Sequence, residues 1–191
     1  MTDTDHPADV EVVTVDDSNT ITGTAPRGEA HSGEGMAHLA VSVMVVHHDG
    51  RLLLQRRAAA KPLFADLWSN AVCTHPLPGE EPITAASRRL EEELRIRCPL
   101  EPAGTFRYIA RDPSSGLVEN ELDHVFVGRS DAEPRPEPSE VSEVRWITTE
   151  DLAAERATSA DRFTPWFAQV LAMAGPHLDP PPGPAGSDGA P

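Results

Sequence analysis

His38 to Val46 is a run of apolar, mostly β-branched positions. Asp49-Gly50 follows as a strong turn, and Arg51 to Gln55 returns with apolar residues, so the stretch predicts a β-hairpin. The period then changes. Pro82 stands where a first helical turn tolerates a missing N–H, and Ile83, Ala86, Leu90 and Leu94 recur at helical spacing. That helix carries Arg88, Arg89, Glu92 and Glu93 on its polar side. Further strands are expected at Thr105 to Ala110, Leu122 to Val127 and Val144 to Ile147. Thr164-Pro165 reads as the cap and first turn of a closing helix that ends near Gly175. Strand and helix periods that alternate in this way predict an α+β fold, a mixed sheet with helices packed on it in layers.

The ends lack such periods. Residues 1 to about 20 hold six acidic residues and no Lys or Arg, so 1–21 is expected to be a disordered acidic arm. The Pro- and Gly-rich segment 175–191 is expected to be a disordered tail, and Asp131 to Pro138 an internal loop. Residues 22–174 remain as one folded domain, which suits a length of 191 residues. The net charge of −15 argues against nucleic acid or an anionic membrane as partner, since both would be repelled. There is no basic start followed by an apolar run and no stretch apolar enough to span a bilayer, so the expected location is cytoplasmic. The 2 cysteines are too few for a disulfide scaffold. Cys73 is expected to be a free thiol and Cys98 a small core residue.

The chemistry concentrates in a few places. Cys73-Thr74-His75-Pro76 and Glu119-Asn120-Glu121 each place functional side chains two apart. On an extended segment residues two apart face the same side, so Cys73 and His75 share a cavity, as do Glu119 and Glu121. With His31 and His38, His75 and the two glutamates can form a mixed nitrogen and oxygen site suited to Mn²⁺, Zn²⁺ or Mg²⁺. A thiol and a carboxyl across an apolar cavity can move protons in opposite directions. Any one of these histidines alone is more often a surface or hydrogen-bonded residue. His47 and His48 flank the hairpin turn and are expected to be solvated, and His6, His124 and His177 fit no functional pattern.

Taken together, the two histidines with their spacing, the Cys-X-His-Pro run and Glu-Asn-Glu resemble the type I isopentenyl diphosphate isomerases of the Nudix superfamily. The resemblance covers about residues 22 to 173 and implies a Nudix-like mixed β-sheet sandwiched by helices. In the Nudix box it keeps Glu80, Arg88, Glu92 and Glu93. Thr74 replaces the first Gly, Arg89 a Glu and Arg95 the last Gly. It implies that Cys73 exchanges the proton at C2 as a thiolate, favoured by Arg89 or Lys61, and that Glu121 protonates C4 with help from Tyr108. It also implies that Trp166 faces the cationic intermediate. Arg27, Arg57, Lys61 and Arg89 would hold the diphosphate, and Glu93 with the Cys73 carbonyl a Mg²⁺ that arrives with it. Mn²⁺, Zn²⁺ or Mg²⁺ would occupy the His/Glu site.

The implied ligand is a small-molecule prenyl diphosphate, bound by a monomer or homodimer. Taken one at a time, Tyr108 and Trp166 read as core aromatics, the four basic residues as solvated surface, and Arg89 with Glu93 as an ordinary i,i+4 pair. Several positions depart from the family pattern. Ala65-Asp66 stand for Pro-Gly, Phe64 for a Trp, Asp123-His124 for less polar residues, and Thr74 would be strained if its backbone needs a positive φ. Alternatives are an isomerase-like enzyme acting on a longer prenyl diphosphate by proton-initiated cyclisation or rearrangement, a Nudix diphosphate hydrolase, and a non-catalytic binding module. Arg89 argues against hydrolysis, because it puts positive charge where that chemistry uses a carboxylate.

Overall fold

The structure, a computed structural model, describes residues 10–178. Residues 1–9 of the expected arm and 179–191 of the expected tail therefore lie outside the described residues. Strands β1 (Glu11–Val15) and β2 (Ile21–Pro26) lead into a short helix α1 (Arg27–Ala30) and the long strand β3 (His38–Val46). Next come β4 (Leu52–Arg57), β5 (Trp68–Ser69), β6 (Val72–Thr74), helix α2 (Pro82–Leu94) and the long strands β7 (Leu100–Arg111) and β8 (Val118–Arg129). β9 (Val141–Ile147), α3 (Thr149–Thr158) and α4 (Phe167–Ala174) complete the chain.

β3 organises the sheet. It runs antiparallel to β4 and β6 and parallel to β8, while β7 pairs with β8 and β9 with β4. All nine of its residues are buried, as expected of a strand covered on both faces. Val41, Val43 and Val45 pack with Ala86, Leu90 and Leu94 of α2 on one face; Met44 and Val46 pack with Phe167 and Val170 of α4 on the other. The mixed sheet between helices is the expected α+β architecture. Among the described residues no helix is long and apolar enough to cross a membrane.

The acidic arm needs correction. Residues 11–15 and 21 are strand, because Val13 and Val15 are buried against Leu39 and Leu122, and β1 pairs with β2 along its length. The acidic residues serve the turn between them, where Asp16 Oδ1 accepts the backbone N–H groups of Ser18 and Thr20. Charge count alone hid a short apolar strand that only its pairing stabilises. The tail also starts later than residue 175, since Gly175–His177 forms a 3₁₀ turn and Leu178 packs on the core. The closing helix begins at Phe167, three residues beyond Thr164. α3 is absent from the sequence reading, although Thr148 caps it by accepting the Asp151 N–H at 3.1 Å.

Candidate active site

β3, β6, β7 and β8 bring their alternate residues to one place. Cys73 on β6 stands opposite Ser42, Glu121 on β8 opposite His38, and Tyr108 on β7 opposite Glu121. Ser42, Cys73, Tyr108 and Glu121 border a cavity of about 500 Å³, which is also lined by Arg27, Arg57, Lys61, His75, Arg89, Glu119 and Trp166. His31 and His38 lie fully buried beside the two glutamates. Glu93 is not among the lining residues. It is buried behind Arg89, whose Nη2 donates to its Oε1 at 2.7 Å, and burial raises its carboxyl above the ordinary value.

The His/Glu cluster has the donor set of a cation site. Ligand atoms of His31, His38, His75, Glu119 and Glu121 all lie within 4.8 Å of one another. His31 Nδ1 donates to the Arg27 carbonyl at 2.7 Å and His38 Nδ1 to the Met36 carbonyl at 2.8 Å, so that in the neutral imidazoles a metal would select both Nε2 atoms are lone pairs, whereas a protonated His38 turns an N–H toward Glu121. His31 Nε2 lies 2.8 Å from Glu119 Oε2, yet both atoms are buried without a properly aligned hydrogen bond. His38 Nε2 lies 3.2 Å from His75 Nε2. Lone pairs facing one another in a dry site repel; a divalent cation among them would remove the conflict. The residues present therefore fit a metal. Gly35 supports this end of the site: at φ 77 its Cβ position would meet Val118 at 2.8 Å, and its carbonyl accepts from Asn120 at 3.0 Å.

Protonation differs across the cavity. Cys73 Sγ accepts from the Trp166 indole N–H at 3.1 Å and donates to Asn70 Oδ1 at 3.3 Å, with Ser69 Oγ at 3.4 Å. Asn70 is fixed by its own donation to the carbonyls of Val43 and Val72. Burial pushes the thiol up to about 11, against the opposing pull of Arg57. The cation that pulls the thiol toward ionisation is Arg57 rather than Arg89 or Lys61. Burial also opposes ionisation of Glu121, but hydrogen bonds from His38 and Tyr108 outweigh it and hold that carboxyl below its ordinary value. Tyr108 donates directly to Glu121 Oε2.

At the other end, Arg57 is buried and donates to the carbonyls of Leu63 and Phe64, with its guanidinium 5.4 Å from the centre of the Trp166 ring. One face of that ring is thus already occupied by a cation. Lys61 is ion-paired with Glu140, which also takes Arg89 Nη2 at 3.0 Å. Burial works against the Glu140 charge, but Lys61 and then Arg89 hold its carboxyl at about 2. Glu140 lies 79 residues from Lys61 and carries no local signal in the sequence. Asp123 is legible there only as a departure from the family pattern. Asp123 is buried, accepts from Ser42 Oγ at 2.7 Å, and leaves its Oδ1 without a partner.

Thr74 is unstrained, because it lies on β6, and the positive-φ residues other than Gly among those described are Asn19, Phe64, Asp66 and Arg95. Three of the noted departures do fall on such backbone: Phe64 at φ 50, Asp66 at φ 62 and Arg95 at φ 58. The retained box residues join loop to helix. Arg88 clamps Glu80 through two bonds of 2.8 Å, and Glu80 Oε2 accepts the Leu77 N–H.

A model of the NUDIX domain matches residues 36–167. An isopentenyl-diphosphate Delta-isomerase of Nocardia farcinica is 44% identical over 160 residues, 84% of this chain and 91% of that protein. One from Streptomyces griseus is 46% identical over 165 residues, 86% and 83% respectively. Among solved structures, DR0079 of Deinococcus radiodurans has a TM-score of 0.69 at 23% identity, covering 85% of this chain and 97% of that one. The NUDIX domain of Shewanella oneidensis NrtR has a TM-score of 0.58 at 18% identity, covering 74% and 88%. These two likenesses carry the fold alone.

Proposed function

The chain belongs to the NUDIX domain family, in its isopentenyl-diphosphate Delta-isomerase branch, and from that premise we propose how its residues interconvert isopentenyl diphosphate and dimethylallyl diphosphate. The carrying observation is that Cys73 and Glu121 border one cavity from strands on either side of β3. Moving the double bond by one carbon adds a proton at C4 and removes one from C2, through a tertiary cation at C3. Glu121, with Tyr108 hydrogen-bonded to it, handles the C4 proton. Cys73 handles the C2 proton.

The resting state of the free site, a Cys73 thiol and a Glu121 carboxylate, is matched to dimethylallyl diphosphate: the thiol protonates C2 and the carboxylate removes a C4 proton. The forward reaction needs the opposite pair, a thiolate and a carboxylic acid. Each turnover therefore leaves the site set for the reverse direction until protons are exchanged. Asn70 and Trp166 keep the sulfur aimed through this cycle, and the aromatic walls of Tyr108 and Trp166 exclude water from the cation.

His31, His38, His75, Glu119 and Glu121 hold a divalent ion, Mn²⁺, Zn²⁺ or Mg²⁺, which when bound supplies positive charge that tunes the Glu121 carboxyl. Arg27, Arg57, Lys61 and Arg89 line the cavity and would hold the diphosphate, and Glu93, buried behind Arg89, would serve a Mg²⁺ that enters with the substrate once that ion pair opens. Glu92 and Glu93 of α2 are engaged by Arg88 and Arg89, which supports isomerisation over hydrolysis. A free working thiol suits a reducing compartment, and the cytoplasm is the proposed location. The test is incubation of metal-loaded protein with isopentenyl diphosphate in D₂O, followed by NMR. Deuterated dimethylallyl diphosphate is the expected product; released phosphate, or a cyclised product from a longer prenyl diphosphate only, would overturn the reading.

A further inference from the structure

The other end of β3 carries a second cluster of histidines. His47 and His48 follow its last residue, Val46, about 30 Å from His38 at the rise of an extended strand. The hairpin turn is held by mutual backbone bonds, His47 N–H to Arg51 O at 2.8 Å and Gly50 N–H to His47 O at 2.9 Å. None of these residues lines the cavity.

We propose that His47, His48 and Asp131 form a separate binding site for a divalent transition-metal ion. Their ligand atoms lie within 4.8 Å of one another. Asp131 Oδ1 is 2.9 Å from His48 Nδ1 and 3.6 Å from His47 Nε2, spacings that bracket the roughly 3.3 Å between neighbouring ligands of a tetrahedral zinc. His47 is ordered from behind. Its ring meets the edge of Trp146 at 5.1 Å, and its Nδ1 lies 2.8 Å from Asp49 Oδ1. The Asp49 backbone N–H also reaches His47 Nδ1, at 3.4 Å; in the tautomer with the proton on Nδ1, facing Asp49 Oδ1, Nε2 keeps its lone pair, the carboxylate–histidine arrangement that orients a metal ligand and raises its basicity. Asp131 is also fixed, because its Oδ1 accepts the His48 backbone N–H at 2.9 Å. Arg51 pairs with Asp49 Oδ2, so the supporting carboxylate does not add an uncompensated charge.

Two imidazoles and one carboxylate favour zinc, nickel or copper over magnesium or calcium. The remaining positions are open, since the His48 side chain is 70% exposed and Asp131 56% exposed. An ion here would tie the β3–β4 turn to the segment that follows β8. Full-length protein is dialysed to equilibrium against Zn²⁺ with excess Mg²⁺, and bound zinc is measured by elemental analysis. The wild type should hold one more equivalent than His48→Ala or Asp131→Asn, with isomerase turnover unchanged in both. Asp49→Asn should weaken that equivalent about tenfold. Equal zinc in the wild type and the first two variants would overturn the proposal, whatever the His/Glu cluster in the cavity binds.

Discussion

The two ends of the cavity are built in different ways. The end to which we assign proton handling hangs on β-sheet register: His38, Cys73, Tyr108 and Glu121 face each other because β3, β6, β7 and β8 are paired where they are. Its side chains are short and anchored, His31 and His38 by backbone carbonyls and Cys73 by Asn70 and Trp166. The end we assign to the diphosphate is made of long side chains from unrelated segments, where Glu140 and Glu93 gather Lys61 and Arg89 by charge and backbone carbonyls hold Arg57. A site that must place a proton to a fraction of an ångström draws on the backbone, whereas one that must accept a mobile anion draws on flexible cations.

The largest effect should come from removing the thiol. Cys73→Ala should lower turnover roughly a hundredfold to ten-thousandfold, the range of a lost general acid–base group, with the fold kept by circular dichroism. Retained turnover would remove the thiol from the mechanism. In the unaltered protein, alkylation of Cys73 should accelerate only as pH rises towards about 11, above the ordinary 9.0, because burial disfavours the thiolate. Mass spectrometry across pH reads this directly. His38→Ala should come next, lowering metal content and turnover by about ten- to a hundredfold while leaving affinity for the diphosphate nearly intact.

This contrast also explains what the sequence reveals. Period-2 spacing in Cys73-Thr74-His75 and Glu119-Asn120-Glu121 exposes the first end, because register repeats along a strand. Helical spacing exposes α2 for the same reason. Glu140 and the Asn70–Ser69–Thr164 support have no period: they are assembled by tertiary contacts between segments up to 95 residues apart. β1 is masked by its acidic neighbours, since three buried valines, Val12, Val13 and Val15, decide that strand and composition averages them away. α3 shows the same limit, with a single buried leucine, Leu152, to mark its inner face.

At the diphosphate end, Glu140→Gln should act in two opposed directions. Its carboxyl, held at about 2, is ionised throughout the assay range, so in the free protein it competes with the diphosphate for Lys61 and Arg89. Removing that charge should lower KM about tenfold, equivalent to about 1.4 kcal/mol, with kcat little changed. The same change leaves the largely buried Lys61 without its partner, so Tm should fall. Glu140 has its folded value below the ordinary 4.5, so its contribution is complete above that value and fades as pH falls towards 2. The Tm difference between wild type and variant should therefore shrink on acidification. A raised KM would make Glu140 a positioning residue instead of a competitor.

The smallest effect tests the C-terminus of α2, outside the cavity lining. Arg95 is its cap and lies in the left-handed region at φ 58, where a Cβ is unfavourable and glycine is at ease. Its ion pair with Glu137, at 3.6 Å and more than half exposed, contributes little. Arg95→Gly should therefore raise stability by about 0.5–1 kcal/mol, or Tm by about 2–4 °C, after allowing for the greater freedom of glycine in the unfolded chain. Phe64 has the same backbone region at φ 50 but is no such opportunity, because its ring packs edge-on against Trp166 at 5.4 Å and its N–H donates to Asp112. Since Arg95 touches neither end of the cavity, kcat and KM should both stay at the wild-type values. A loss of turnover on Arg95→Gly would show that strain at the end of α2 is transmitted to Arg89 and Glu93, and that the two ends are less independent than their construction implies.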